Sequence, residues 1–264
     1  MKKIAGQRVD LNGQFEDRTL TYWILSTLGS DGQPMGAGSV SYSLKKHGGV
    51  LSAPTVGRKL RDLEHEGLLS KVGVDGRILT AKGRRVLAQL ENEFRIESSS
   101  QALLKLLKRN SRKDITDQLI ARRTIEGETA ALAAQNITAQ GLKKLEELVA
   151  RQRAMVEKGE TGLPEDLNLH AAIAQASGNK VLSSLVSLLR SQAWLNQVIA
   201  AIRAKVGSRP VVDHQAIVAA IKRRAPGDAK EAMMGHINLL IDDVDRYWEQ
   251  VFHEHKTDPD VPRS

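Results

Sequence analysis

Asp166 and His170 stand four residues apart in a stretch of helical periodicity, which puts both side chains on one helix face. His214 and His236 lie in two later helical stretches, 22 residues apart. The neighbours of all four are apolar: Leu167, Leu169 and Ile173; Ile217 and Val218; Met233 and Ile237. One carboxylate and three imidazoles converging inside a helical bundle would bind a divalent metal ion, zinc first, with nickel, manganese or iron(II) as alternatives. A lone histidine in such a setting is more often a hydrogen-bonded core residue. Four donors at these spacings favour the metal. The same set could activate water or oxygen, but no HExxH or comparable signature supplies the general acid or base that an enzyme would need. The expectation is a binding site, not a catalytic one.

A second group of residues points to a polyanion. A helix starting near Ser52, a good N-cap, has Pro54 in its first turn. It carries Val56, Leu60 and Leu63 on one face, with Thr55, Arg58, Lys59 and Arg61 on the others. Lys71 and Arg77 follow in two short extended runs around Asp75-Gly76, the signature of a β-hairpin. Before them come a helix with Leu20, Tyr22, Trp23, Ile24, Leu25 and Leu28, ending at Gly29, and a second helix over Ala37 to Lys46, closed by His47-Gly48-Gly49. Three helices and a hairpin make a winged helix, whose third helix reads the major groove while the wing grips phosphates. Ser52, Thr55, Arg58, Lys59, Arg61, Lys71 and Arg77 are therefore the expected DNA contacts.

The elements that must position the metal ligands are helical throughout. One helix ends near Asn136, and Thr138 caps the next. Pro164 opens the helix that holds Asp166 and His170, and Ser177-Gly178-Asn179 closes it. Val181 through Ile202 read as one long amphipathic helix, and two further helices follow the breaks at 207–210 and 225–228. The expected fold is mainly α: an N-terminal winged helix-turn-helix, then an all-α bundle of six or seven helices. The expected limits are a flexible arm over 1–16, the winged helix over 17–95, a linker or hinge over 96–113, the bundle over 114–257 and a tail over 258–264.

Composition agrees with this division. Of 264 residues, 39 are Lys or Arg and 31 Asp or Glu, but residues 1–113 hold 20 of the cations against 11 anions, and the remainder is near neutral. Solubility does not require such segregation; a polyanion partner for one half accounts for it. No cysteine is present, which excludes disulfides, Cys-ligated zinc and thiol catalysis. Nine aromatic residues are too few for base-stacking platforms. The longest apolar runs, such as 198–202 and 216–221, span five or six residues against the roughly 20 of a membrane helix. With no secretory signal after Met1-Lys2-Lys3, a cytoplasmic location without membrane association is expected.

Two resemblances follow from these residues. Gly32-Gln33-Pro34-Met35-Gly36-Ala37, Pro54-Thr55-Val56-Gly57-Arg58-Lys59-Leu60 and Gly76-Arg77-Ile78-Leu79-Thr80-Ala81-Lys82-Gly83 resemble the winged helix of archaeal NrpR-type nitrogen repressors. Asp166-Leu167-Asn168-Leu169-His170, Ala176-Ser177-Gly178-Asn179, Asp213-His214-Gln215-Ala216-Ile217 and Gly227-Asp228-Ala229 with His236 resemble the FCD effector domain of FadR-type GntR-superfamily regulators, as do Arg122-Arg123-Thr124-Ile125-Glu126 and Ala130 to Ala134. The FCD resemblance implies a bundle that binds a small carboxylate metabolite beside a metal held by Asp166, His170, His214 and His236. It places the effector-binding arginine at Arg122, or at Arg123 if the register shifts by one. Asn168 stands where many members have an aromatic residue, and either hydrogen-bonds the effector or caps a nearby backbone group.

The two resemblances disagree in one respect. Aligned with the winged helix usual in GntR repressors, Gly57 and Ala53 occupy the positions of that family's recognition arginines. The family's usual operator is therefore not expected, and Arg58 becomes the candidate for bidentate contact with guanine. The function expected is a homodimeric, metabolite-responsive repressor on a pseudo-palindromic operator. A metal-dependent enzyme and a dimeric architectural nucleic-acid binder are the alternatives.

Overall fold

The computed structural model describes residues 17–45, 51–208 and 210–257, so the arm over 1–16, the tail over 258–264 and the helix end at His47 to Gly49 lie outside the described residues. The chain divides into two compact units, residues 1–104 and 105–264.

In the first unit α1 (Asp17–Asp31), α2 (Ala37–Lys45) and α3 (Ala53–His65) precede the antiparallel strands β1 (Leu69–Val72) and β2 (Gly76–Leu79). The strand register pairs Lys71 with Arg77, and Met35 bridges to Arg77 as a one-residue third strand. Ile24, Leu25, Leu28, Val40, Leu44, Val56, Leu60 and Leu63 form the core from the inner stripes of all three helices. Ser52 caps α3, its Oγ accepting from the Thr55 amide, as the sequence requires.

Gly29 does not end α1, which runs on to Asp31. A Cβ at Gly29 would lie 3.0 Å from Leu87 Cδ2 and 3.2 Å from Leu79 Cδ1, so the glycine serves close packing instead of a helix stop. Closer still is Gly83, where a Cβ would fall 2.1 Å from the Leu68 carbonyl oxygen. Gly83→Ala is expected to destabilise this unit by about 3 kcal/mol through overpacking against backbone. Hydrogen exchange would show lost protection over residues 17–95, with the helical unit unchanged.

The α4 helix (Ala81–Leu107) is capped by Thr80, whose Oγ1 accepts from the Gly83 amide. It continues without interruption through the first part of the expected linker, and the chain leaves helical geometry only between Leu107 and Arg112.

The second unit contains α5 (Arg112–Asn136), α6 (Ala139–Glu157), α7 (Leu163–Ala176), α8 (Lys180–Arg190), α9 (Ala193–Val206), α10 (Pro210–Lys222) and α11 (Pro226–Thr257). Its core joins Ile115, Leu119, Leu145, Leu148, Leu169 and Ile173 to Ile217, Ile221, Met233 and Ile237. Ser111, Thr138 and Asn179 cap α5, α6 and α8. The bundle has seven helices because the long helix expected over 181–202 is broken at Ser191-Gln192. Asn196 Nδ2 donates to the Arg190 carbonyl at 2.9 Å and Ser191 Oγ to that of Leu188 at 2.8 Å. Side chains thus satisfy carbonyls that the next helical turn would otherwise take. Apolar periodicity carries no trace of these two bonds.

Candidate metal centre and adjoining cavity

The bundle brings Asp166 and His170 from α7, His214 from α10 and His236 from α11 together, with one ligand atom of each within 4.8 Å of the others. The Nε2 atoms of His170 and His214 are 3.3 Å apart, as are those of His214 and His236. Asp166 Oδ1 is 3.3 Å from His214 Nε2 and 3.8 Å from His170 Nε2. The three imidazoles are fully buried and Asp166 partly so.

What the rings do at their other nitrogens decides the chemistry. His170 Nδ1 faces Glu126 Oε2, His214 Nδ1 faces Gln152 Oε1 at 2.7 Å, and His236 Nδ1 faces Asp213 Oδ2 at 3.4 Å. All three partners are acceptors. Gln152 is oriented by its own Nε2, which donates to the Gly162 carbonyl at 3.4 Å, so its oxygen turns to the histidine. Each neutral ring therefore carries its proton on Nδ1 and presents the Nε2 lone pair to the centre.

Burial above all keeps the rings neutral. It lowers His170 from 6.5 to about 4, helped by Arg190; His214 to about 3, helped by His236; and His236 to about 4, against the hydrogen bond that His236 donates to Asp213. Burial would raise Asp166, but Arg190 and then the imidazoles outweigh it and hold the carboxylate well below its ordinary range. Three lone pairs and a carboxylate facing one another repel unless a cation lies between them. The 3.3 Å nitrogen separations match the edge of a tetrahedron with bonds of about 2.0–2.1 Å, those of zinc to histidine. The residues fit a divalent metal, and the acceptors at Nδ1 are what such ligands need behind them.

Beside the cluster lies a cavity of about 180 Å³, reached by Asp166, Arg122, Gln152, Arg190, Asn196 and Arg203. Arg122 is buried, with Nε donating to Glu126 Oε1 at 2.7 Å. Arg123 does not line the cavity; its Nη1 donates to Asn238 Oδ1 at 2.8 Å on α11. Asn168 is exposed and also away from the cavity, since two residues beyond Asp166 it lies about 200° around α7.

Several residues of this site escaped the sequence reading: Glu126, Gln152, Arg190, Arg203 and Asp213 as a partner of His236. Arg190 lies at 2.7 Å from Asp166 Oδ2 and 3.5 Å from Glu126 Oε2. The signal for it was present, because Arg190 interrupts the apolar stripe of Val186 and Leu189. Gln152 likewise continues the stripe of Leu145, Leu148 and Val149.

In the winged helix, Arg58, Arg61 and Lys71 are exposed, while Ser52 and Thr55 sit at the start of α3. Lys59 and Arg77 differ from the expectation of free phosphate contacts. Lys59 Nζ pairs with Asp17 Oδ1 at 2.6 Å, and Arg77 with Glu64 Oε2 at 2.8 Å, ties that join α3 to α1 and to the wing. Their charge is already compensated within the domain.

Residues 117–239 match the FCD domain family and residues 22–87 the ribonuclease R winged-helix domain. The second match agrees with a winged helix at this position and leaves the NrpR likeness an expectation. The chain is 27% identical over 128 residues to the Uxu operon regulator of Haemophilus influenzae, covering 45% of this chain and 47% of that protein. It is 25% identical over 163 residues to the transcriptional regulator LutR of Bacillus subtilis, covering 60% and 74%. Against the Exu regulon transcriptional regulator of Escherichia coli K12 the identity is 31% over 123 residues, covering 45% and 47%. The chain thus spans about half the length of the Uxu and Exu regulators. All three relatives are named as regulators and none as an enzyme. Among the described residues, no helix is long and apolar enough to cross a membrane.

Proposed function

We propose that the chain, whose residues 117–239 match the FCD domain family and which is similar to the Uxu and LutR regulators, is a FadR-type regulator of the GntR superfamily, acting as a homodimeric, cytoplasmic, metabolite-responsive repressor. The observation that carries the reading is the convergence of three imidazole lone pairs and Asp166 beside a cavity edged with buried guanidinium groups. Asp166, His170, His214 and His236 would hold a divalent metal, zinc first, whose charge would attract the carboxylate of a small metabolite. Glu126, Gln152 and Asp213 fix the ring tautomers that present the donor atoms. Arg122 and Arg190 face the cavity as guanidinium forks suited to a carboxylate.

A dimer would set two α3 helices in successive major grooves of a pseudo-palindromic operator, with Arg58 and Arg61 on the DNA side and Lys71 on the wing. Effector binding would change DNA affinity only by as much as it discriminates between two arrangements of the dimer. Asp166→Ala is expected to abolish that response.

Phosphate contact makes binding salt-dependent. On a random 30-base-pair duplex, the log–log slope of affinity against salt should be about −4 or steeper for a dimer, and Arg58→Ala and Arg61→Ala should each make it shallower by about one per subunit. Fluorescence anisotropy between 50 and 200 mM salt reads this. A slope near zero would exclude the DNA-binding role.

A further inference from the structure

Arg190 and Arg203 are placed with unusual polar vacancies. Their side chains are 7% and 8% exposed, and both edge the cavity. Arg190 Nε and Nη1, and Arg203 Nε and Nη2, are buried without a hydrogen-bond partner. The two are tethered to different carboxylates. Arg190 is held by Asp166 and Glu126, from α7 and α5. Arg203 stands 3.5 Å from Asp213 Oδ2 and from Asp243 Oδ2, on α10 and α11, in ion pairs that leave its Nε and Nη2 without a close hydrogen bond. Asp243 Oδ2 likewise accepts no hydrogen bond and has only that ion pair. Buried guanidinium donors left unpaired are costly, so such groups mark the place of an acceptor from outside the chain.

The rest of the lining limits what that acceptor can be attached to. Leu163, Ile199, Ala200, Ala204 and Leu240 are aliphatic. They suit a short methylene chain, while Gln152, Glu160, Thr161, Asn196 and Ser208 add polar groups elsewhere on the wall. The volume is also below the roughly 300–1,000 Å³ of a site for a drug-sized ligand.

We propose that the cavity takes a short aliphatic dicarboxylate, one carboxylate bound at Arg190 beside Asp166 and the other at Arg203. The proposal rests on the effector-domain reading above and adds the second anionic group and the residue that selects it. Arg203 also touches Asp213, the partner of His236 Nδ1, so the second carboxylate is bound by a group already in contact with the support of the metal ligands.

Calorimetry of the zinc-loaded full chain with succinate and glutarate, each beside its half-amide, tests this. At least one diacid should bind on the order of 30-fold more tightly than its half-amide, the worth of one charged hydrogen-bonded pair. In Arg203→Gln the difference should shrink to within about threefold, with half-amide affinity unchanged. If that variant does not fold, the wild-type comparison and Arg203→Lys, which keeps the charge without the fork, decide the matter. Equal binding of diacid and half-amide overturns the proposal and leaves the carboxylate-effector reading standing. No binding of any of the four compounds overturns the proposal and removes support from that reading too.

Discussion

Glu126→Ala is expected to cost the helical unit about 3–5 kcal/mol, the usual consequence of removing one partner from a buried charge network. Glu126 is 1% exposed and touches three other buried groups: Arg122 through Oε1, His170 through Oε2, and Arg190 at 3.5 Å. Burial alone would raise its pKa; Arg190, Arg122 and His170 outweigh that and hold the carboxylate well below its ordinary range. Without it two guanidiniums share the interior with Asp166 alone, and His170 Nδ1 loses its acceptor. Glu126→Gln keeps an acceptor but not the charge, and should fall between. Denaturant titration of the three proteins checks the order, and a loss below about 1 kcal/mol for Glu126→Ala would show that the network is not the support described here.

Acidification should weaken the chelator-treated chain steeply. The three site histidines have folded pKa values of about 4, 3 and 4, below the 6.5 of the unfolded chain. The unfolded state therefore binds protons first. The stability contributed by the neutral rings is fully present above pH 6.5 and is lost as pH falls from there toward 4. Between pH 6 and 5 the unfolded chain holds up to three more protons than the folded one, and stability should drop by up to about 4 kcal/mol per pH unit. The carboxylates do not cause this loss, since their unfolded pKa values lie lower. Urea unfolding at pH 6.5, 6.0, 5.5 and 5.0 measures the slope, and a flat profile would mean that the rings are already protonated or accessible to water.

The convergence of Asp166, His170, His214 and His236 was legible in the sequence because each sits on an apolar helix face with no local partner to explain it. Asp166 and His170 declare themselves by i,i+4 spacing, and His214 and His236 by their aliphatic neighbours. The winged helix was legible because caps and turns are local: Ser52 acts within three residues, and the hairpin expected around Asp75-Gly76 turns just before it, over 73–75, with Gly76 already paired to Val72. What was not legible depended on tertiary partners. The break after Arg190 rests on side-chain bonds to two carbonyls. The ion pairs of Lys59 and Arg77 could not be read either, because Asp17 and Glu64 lie 42 and 13 residues away. Arg123 and Asn168 lie within two residues of the cavity-lining Arg122 and Asp166, and only the helix phase turns them away from the cavity.

The most direct test of the account is a zinc titration of the chelator-treated chain, followed by thermal melting, for wild type beside His214→Ala. His214 is the ligand whose Nε2 lies 3.3 Å from each of three others. Wild type should take up one zinc per chain. At a free concentration about 1,000-fold above Kd, binding stabilises by about 4 kcal/mol, enough to raise Tm by roughly 8 °C or more in a unit of this size. His214→Ala should take up none, and its Tm should not move. A wild-type chain that ignores zinc, or a variant that binds it as wild type does, would contradict the metal centre on which the proposed function rests.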